Sequence, residues 1–169
     1  MGRKLILHDM QTEDAALYLP GESENVTHFS AYPAIHNCIG CFGCWIKTPG
    51  ICVINDRGRA FGRMIPEHDV FAVVSKCVYG GLSPDVKLIL ERNIMVSLPF
   101  FHIVNDEMHH LPRYSKMPSL EYHFYGPDIP EREKETARKL TAANALNLYA
   151  PDYNTFFHSS MPEVREALS

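Results

Sequence analysis

VFAVVSKCVYGGLSPDVKLILERN, residues 70–93, carries a complete structural unit in a single run. Val70 to Ser75 is short, uninterrupted and rich in β-branched residues, which reads as a strand buried on both faces. Gly80 and Gly81 free the backbone to turn. Ser83 then stands where an N-cap belongs and Pro84 at the first helical position, so a helix opens there. A buried strand feeding a helix through a tight turn is the repeating element of a parallel α/β sheet.

The same pattern recurs along the chain. Lys4–Leu7 (KLIL) reads as a first strand, and Thr12–Leu19 as a short helix stopped by Pro20-Gly21. Val26–Tyr32 alternates and reads as a second strand. Asp56 is placed to cap a helix over residues 57–65, which Gly58 and Gly62 weaken by about 1 kcal/mol each relative to alanine. Phe100–Val104 and Tyr122–Tyr125 supply a fourth and a fifth strand, separated by a polar loop over 105–121 that is expected to shape the substrate side. A helix is expected from about Pro130 to Tyr149, with an apolar stripe at Ala137, Leu140, Asn144 and Leu148 and acids crowding its first turn. The expectation is one domain over residues 1–169, an α/β fold with a doubly wound five-stranded parallel sheet and helices on both faces. Residues 151–169 are expected to be a loosely packed tail.

At 169 residues and 46% hydrophobic composition, the chain can bury a core without staples. Its net charge of −4 is spread evenly and offers no Lys/Arg stripe to a phosphate backbone, so nucleic acid is not an expected partner. The opening apolar run is too short for a signal peptide, and no stretch approaches the ~18 apolar residues of a membrane span. A cytoplasmic, reducing location is the expectation, where clustered cysteines more often mean metal or redox chemistry than structural disulfides.

In open α/β sheets, ligands sit beyond the carboxyl ends of the strands, where strand order reverses. Three segments are expected there: HDMQTED (8–14), SKCVYGGLSPD (75–85) and NDEMHH (105–110). In the second, Tyr79 can offer an aromatic face, and Gly80 and Gly81 let backbone approach a flat ligand; the ordinary alternative is a turn that needs glycine for its geometry. Cys38, Cys41, Cys44 and Cys52 are spaced C-x2-C-x2-C-x7-C, the way a loop wraps a cubane iron–sulfur cluster, with Pro49-Gly50 as the turn returning Cys52. Zinc, or unmetallated thiols packed beneath a cofactor, are the other readings of the quartet. Cys77 reads as a core thiol, His109 and His110 as solvated loop residues, and Trp45 as either a shield for a site or core. No Ser-His-Asp order, paired carboxylates or P-loop is present, and no side chain is singled out as a catalytic acid or base.

Taken together, CIGCFGCWIKTPGICVINDRG, DVFAVVSKCVYGGLSPDVKLILER, LPFF, HHLPRY and AANALNLYA resemble the flavodoxin-like NADPH-dependent FMN reductase family, in its iron–sulfur flavoprotein branch, from Cys38 to Tyr149. The resemblance implies FMN at the switch point, NAD(P)H as electron donor, a small-molecule or protein electron acceptor, and a homodimer or homotetramer. It implies flavin contacts at Ser75, Val78, Tyr79, Gly80, Gly81 and Ser83, and a 4Fe-4S cluster on Cys38, Cys41, Cys44 and Cys52. Relatives follow strand one with a glycine- and hydroxyl-rich phosphate loop. Here that place reads His8-Asp9-Met10-Gln11-Thr12-Glu13-Asp14, where only Thr12 offers a hydroxyl and three acids oppose a dianion. The alternative reading is therefore a flavodoxin-like subunit without FMN that acts as a binding or structural partner.

Overall fold

The computed structural model describes residues 2–168. Five strands form one parallel sheet: β1 (Lys4–His8), β2 (Val26–Ser30), β3 (Val70–Lys76), β6 (Ser119–Tyr125) and β7 (Tyr153–His158). Their order across the sheet is β2-β1-β3-β6-β7, so the direction of winding reverses between β1 and β3. The register is continuous there, with Lys4 opposite Val70 and His8 opposite Val74.

Alternation along the strands builds two cores. Leu5, Leu7, Phe71, Val73, Leu120, Tyr122 and Phe124 face one side, covered by α3 (Phe61–Met64), α4 (Pro84–Glu91) and α5 (Glu131–Asn147). Ile6, Ala72 and Val74 face the other, covered by α1 (Thr12–Tyr18) and α6 (Met161–Leu168). Helices thus lie on both faces, as the sequence pattern predicts. α5 approaches the sheet along Ala137, Thr141 and Ala145, a line of small residues four apart, with the expected Leu140 and Asn144 flanking it. Among the described residues no helix is long and apolar enough to cross a membrane.

Three expectations need correction. Phe100–Val104 is not a strand of the main sheet. It belongs to β4 (Ser97–Val104), which pairs antiparallel with β5 (Glu107–Pro112) in a separate hairpin. Asn105 and Asp106 both take positive φ, as a two-residue type I′ turn requires, so the expected loop is half strand and NDEMHH lies away from the carboxyl edge. Residues 153–168 are not a loose tail: β7 completes the sheet, and Val164 and Leu168 of α6 are buried against Ile6 and Val74. The strand is polar at Asn154, Thr155 and His158, so it lacks the apolar run that marks β3. The helix expected over 57–65 is confined to α3 and a following 3-10 turn at Ile65–Glu67, because Asp56 turns the chain instead, accepting from the backbone N–H of His36 (3.0 Å) and of Gly58 (3.0 Å).

Candidate functional site

The carboxyl edge at the β1/β3 reversal is built from the ends of three strands. After β3 the chain makes a closed four-residue turn. Val78 and Gly81 exchange backbone hydrogen bonds of 3.0 and 2.8 Å, and Tyr79 and Gly80 between them sit at φ of 53° and 77°. The turn is anchored from below: the Ser83 N–H donates to the buried Ser75 hydroxyl (2.8 Å), and Ser83 Oγ accepts from Val86 N–H (3.4 Å) to cap α4. Tyr79 is held at the tip with 87% of its surface exposed.

Gly80 has a reason that needs no ligand. A Cβ there would lie 2.6 Å from the Glu133 carbonyl oxygen and 2.7 Å from Thr136 Cβ, so the missing side chain lets α5 approach the turn. Gly81 is different, since a Cβ would meet only the Val78 carbonyl, at 3.4 Å. Of the two glycines, only Gly81 leaves its side-chain direction open. Cys77 is half-buried against the core, and burial raises its thiol pKa, as expected of a packing thiol.

At the end of β1, Asp9 occupies the crevice. Its carboxylate accepts from Lys76 N–H (3.0 Å) at the end of β3 and from the Tyr125 hydroxyl (2.8 Å) at the end of β6. Burial, and then the Asp9 charge, push the Tyr125 phenol far above its ordinary range, so it stays a donor. Thr12 opens α1, whose first turn carries Glu13 and Asp14 and whose N-cap, Gln11, makes no side-chain capping bond. Nearby, the Tyr32 hydroxyl donates to Asp85 in the first turn of α4 (2.8 Å), which raises the Tyr32 pKa. Arg57 lays its guanidinium over the Phe29 ring (4.7 Å) and donates to the carbonyls of Ser30 and Pro33. Sequence reading missed the roles of Tyr125, Tyr32 and Arg57, because each depends on partners far along the chain.

The cysteine segment flanks α4 at its other end. Cys44 lies in a one-turn helix, α2 (Gly43–Ile46), and neighbouring Trp45 donates Nε1–H to the Ile94 carbonyl (2.9 Å) while its ring meets Phe42 and His110. Gly50, at φ 80°, returns the chain as expected, its N–H bonding the Cys44 carbonyl. Cys38 and Cys41 are exposed, Cys52 is half-buried and Cys44 is buried. Burial, and then the nearness of Cys52, Cys38 and Cys41, raise the Cys44 pKa, so thiol rather than thiolate is favoured. Among the described residues no three His, Cys, Asp or Glu side chains are disposed to hold a metal ion. Beneath the segment, buried Arg92 pairs with Asp56 (Nη1 to Oδ2, 2.5 Å) and donates to the His36 carbonyl. His109 and His110 are not solvated loop residues: His110 Nδ1 lies 2.8 Å from the Leu98 carbonyl and its ring packs on Phe101.

A crystal structure of an FMN-dependent NADH-azoreductase from Bacillus anthracis, in complex with FMN, is similar over 99% of this chain and 98% of that one, with a TM-score of 0.57 and 14% identity. The fold is flavodoxin-like. No protein-family model matches the chain, and no curated protein matches it by sequence. The flavodoxin-like sheet thus stands on topology and shape.

Proposed function

We propose that this flavodoxin-like chain is an FMN-binding redox protein that takes electrons from NAD(P)H and passes them to a small-molecule or protein acceptor. The observation that carries the reading is the exposed Tyr79 at the β1/β3 reversal, held at positive φ by a closed turn and without a ring partner among the described residues. An exposed aromatic in a costly backbone conformation is a poor choice for stability and a good one for stacking on a planar group. The solved azoreductase with FMN bound supports the choice of ring. Val78 and Gly81 close the turn, Ser75 and Ser83 lock it to α4, and Thr12 supplies a hydroxyl at the start of α1. Flavin, when bound, supplies the hydride and single-electron chemistry, and the chain's task is placement and exclusion of water. Self-association as a homodimer or homotetramer is part of the proposal, supported by Phe100, Phe101, Ile103 and Met108, all exposed on the hairpin.

One observation favours a second reading, a flavin-free subunit that serves as a binding or structural partner. Asp9 already ties β1 to β3 and β6 across the crevice, and Glu13 and Asp14 add negative charge where a phosphate would sit. Anaerobic purification with absorption spectroscopy, followed by FMN titration, separates the two. Saturable one-to-one binding at micromolar FMN that weakens in Tyr79→Ala supports the redox reading. A protein that is colourless as purified and again colourless once free flavin is removed after incubation with millimolar FMN leaves the second reading standing.

A further inference from the structure

Gly50 stands in the turn that returns the cysteine segment, at φ 80°, and the place its side chain would take is unfilled. A Cβ there would lie 3.5 Å from the Tyr114 hydroxyl oxygen, 3.6 Å from Arg113 Cδ and 3.7 Å from Arg63 Nε. The three side chains reach this point from separate parts of the chain: Arg63 from α3, Arg113 from the residue after β5, and Tyr114 from the link into β6. With Pro49, Pro66 and Glu67 they line an open cleft of about 390 Å³. The cleft lies near the amino ends of β3 and β6, at the opposite edge of the sheet from the Tyr79 turn.

Its donors are short of partners. The Tyr114 ring packs against the main core, yet its hydroxyl makes no hydrogen bond among the described residues and stays open to water. A tyrosine anchored in this way normally gives its proton to something. Arg113 is fixed by two backbone carbonyls, Nε donating to Met95 (2.8 Å) and Nη2 to Ser97 (3.4 Å), and its Nη1 is left unpaired and open to water. Arg63 is exposed and forms no ion pair among the described residues, although Glu67, four positions on, stands where a helical partner belongs.

We propose that this cleft is a second ligand site, for a small monocarboxylate carried on a flat ring. A carboxylate offers coplanar acceptors that match a guanidinium fork and leave a lone pair for a phenol hydroxyl. Its charge follows from the walls, where two arginines and one glutamate leave a single positive charge to be met. Glu67 also opposes a second negative charge on the ligand, which sets the site against phosphate esters. The flat ring follows from Pro49, Pro66 and the aliphatic stem of Arg113, which supply apolar faces between the donors. This site is independent of the flavin reading, since it shares no residue with the Tyr79 turn or with the Asp9 crevice.

Benzoate is the probe, with benzamide as its neutral isostere and phenyl phosphate as the dianion. Binding to the full chain is followed by NMR of the arginine Nε–H groups, in about 0.1 M chloride so that diffuse attraction is screened. Saturable millimolar or tighter binding of benzoate, at least about ten-fold tighter than either control and shifting the Arg63 and Arg113 resonances, is the expected result. Arg63→Gln should weaken benzoate about ten-fold and Tyr114→Phe about three-fold or more, with unfolding midpoints close to the parent's. The inference is overturned if benzoate leaves those resonances unmoved, if benzamide binds equally well, or if both variants hold benzoate like the parent. Tighter binding of phenyl phosphate than of benzoate would overturn it too, since the cleft would then take phosphate esters. The comparison of the three probes on the unsubstituted chain decides the matter even should a variant fail to fold. Flavin absorbance plays no part in it, so failure here leaves the FMN proposal untouched.

Discussion

The Tyr125 hydroxyl and the Asp9 carboxylate meet at 2.8 Å across the carboxyl ends of β6 and β1, and the same carboxylate caps Lys76 N–H at the end of β3. Three strands are thereby stitched by one acid at the place where flavodoxin-like sheets hold ligands. Removing that acid should have two opposed effects. Asp9→Ser leaves the partly buried Tyr125 hydroxyl without its acceptor and the exposed Lys76 N–H to water, and should cost about 1 kcal/mol of stability by urea unfolding. It also removes one negative charge from the phosphate end, so FMN should bind about ten-fold more tightly. The Tyr125 phenol should titrate at lower pH in the variant, visible in its ultraviolet absorbance, because the neighbouring charge that helps to suppress its ionisation is gone.

Tyr79 contributes little to the folded state, since its side chain is almost wholly in solvent at φ 53°. Tyr79→Gly should stabilise the chain by about 0.5–1 kcal/mol by relieving that conformation. In the same variant FMN affinity should fall about ten-fold through loss of stacking. Unchanged flavin affinity in Tyr79→Gly would remove this residue from the proposed site.

Gly80→Ala and Gly81→Ala should part company. A methyl group at Gly80 meets the Glu133 backbone carbonyl at 2.6 Å while the residue holds φ at 77°, so a loss of about 2–4 kcal/mol is expected. The same change at Gly81, whose nearest contact is at 3.4 Å, should cost less than about 1 kcal/mol. Chemical denaturation of the pair measures the difference.

His8 lies buried beside His28, and burial first, then that neighbour, lower its pKa from 6.5 to about 4. The unfolded chain therefore takes up a proton that the folded chain refuses. The stability contribution is complete above pH 6.5 and drains away as the pH falls from 6.5 toward 4, by about 3 kcal/mol at the limit. His158, also lowered by burial, acts in the same sense. His8→Gln should flatten the acid limb of a stability-against-pH profile, leaving the neutral region less affected.

Buried Arg92 pairs with the partly exposed Asp56 beneath the cysteine segment. Burial alone would raise the Asp56 pKa, but the Arg92 bond and two backbone N–H donors outweigh it and hold the carboxyl below its usual range. Asp56→Ala strands a buried guanidinium and should cost about 3–5 kcal/mol, more than Asp56 and Arg92 replaced together by apolar residues. Thermal unfolding of the single and double variants tests this ordering.

Much of the fold was legible because it is written in short-range pattern. β3, the Ser83-Pro84 helix start and the early strands declare themselves by branching, capping and alternation within a few residues. The hairpin was misread because its signal is the pair Asn105-Asp106 at positive φ, and only asparagine followed by glycine advertises that turn strongly. β7 was missed because an edge strand packs one face and can be polar on the other, so its pairing with β6 decides its structure. At the candidate site, the turn residues were found from sequence, whereas the Asp9–Tyr125 and Tyr32–Asp85 bonds join residues whose nearness is a product of topology. The cysteine spacing suggests a ligand set, but spacing fixes contour length and leaves side-chain direction to the local turn, here the single helical turn that carries Cys44.

The docking of α6 on α1 and of β7 on β6 has a kinetic consequence. The part of the second face that α1 leaves uncovered, beside Ile6, Ala72 and Val74, stays wet until a segment some hundred and fifty residues downstream of α1 returns to cover it. Such distant closure makes the last docking step slow and leaves β6 a bare edge in the meantime. Refolding at high concentration should thus lose material to strand-mediated aggregation at that stage, before the second core has formed.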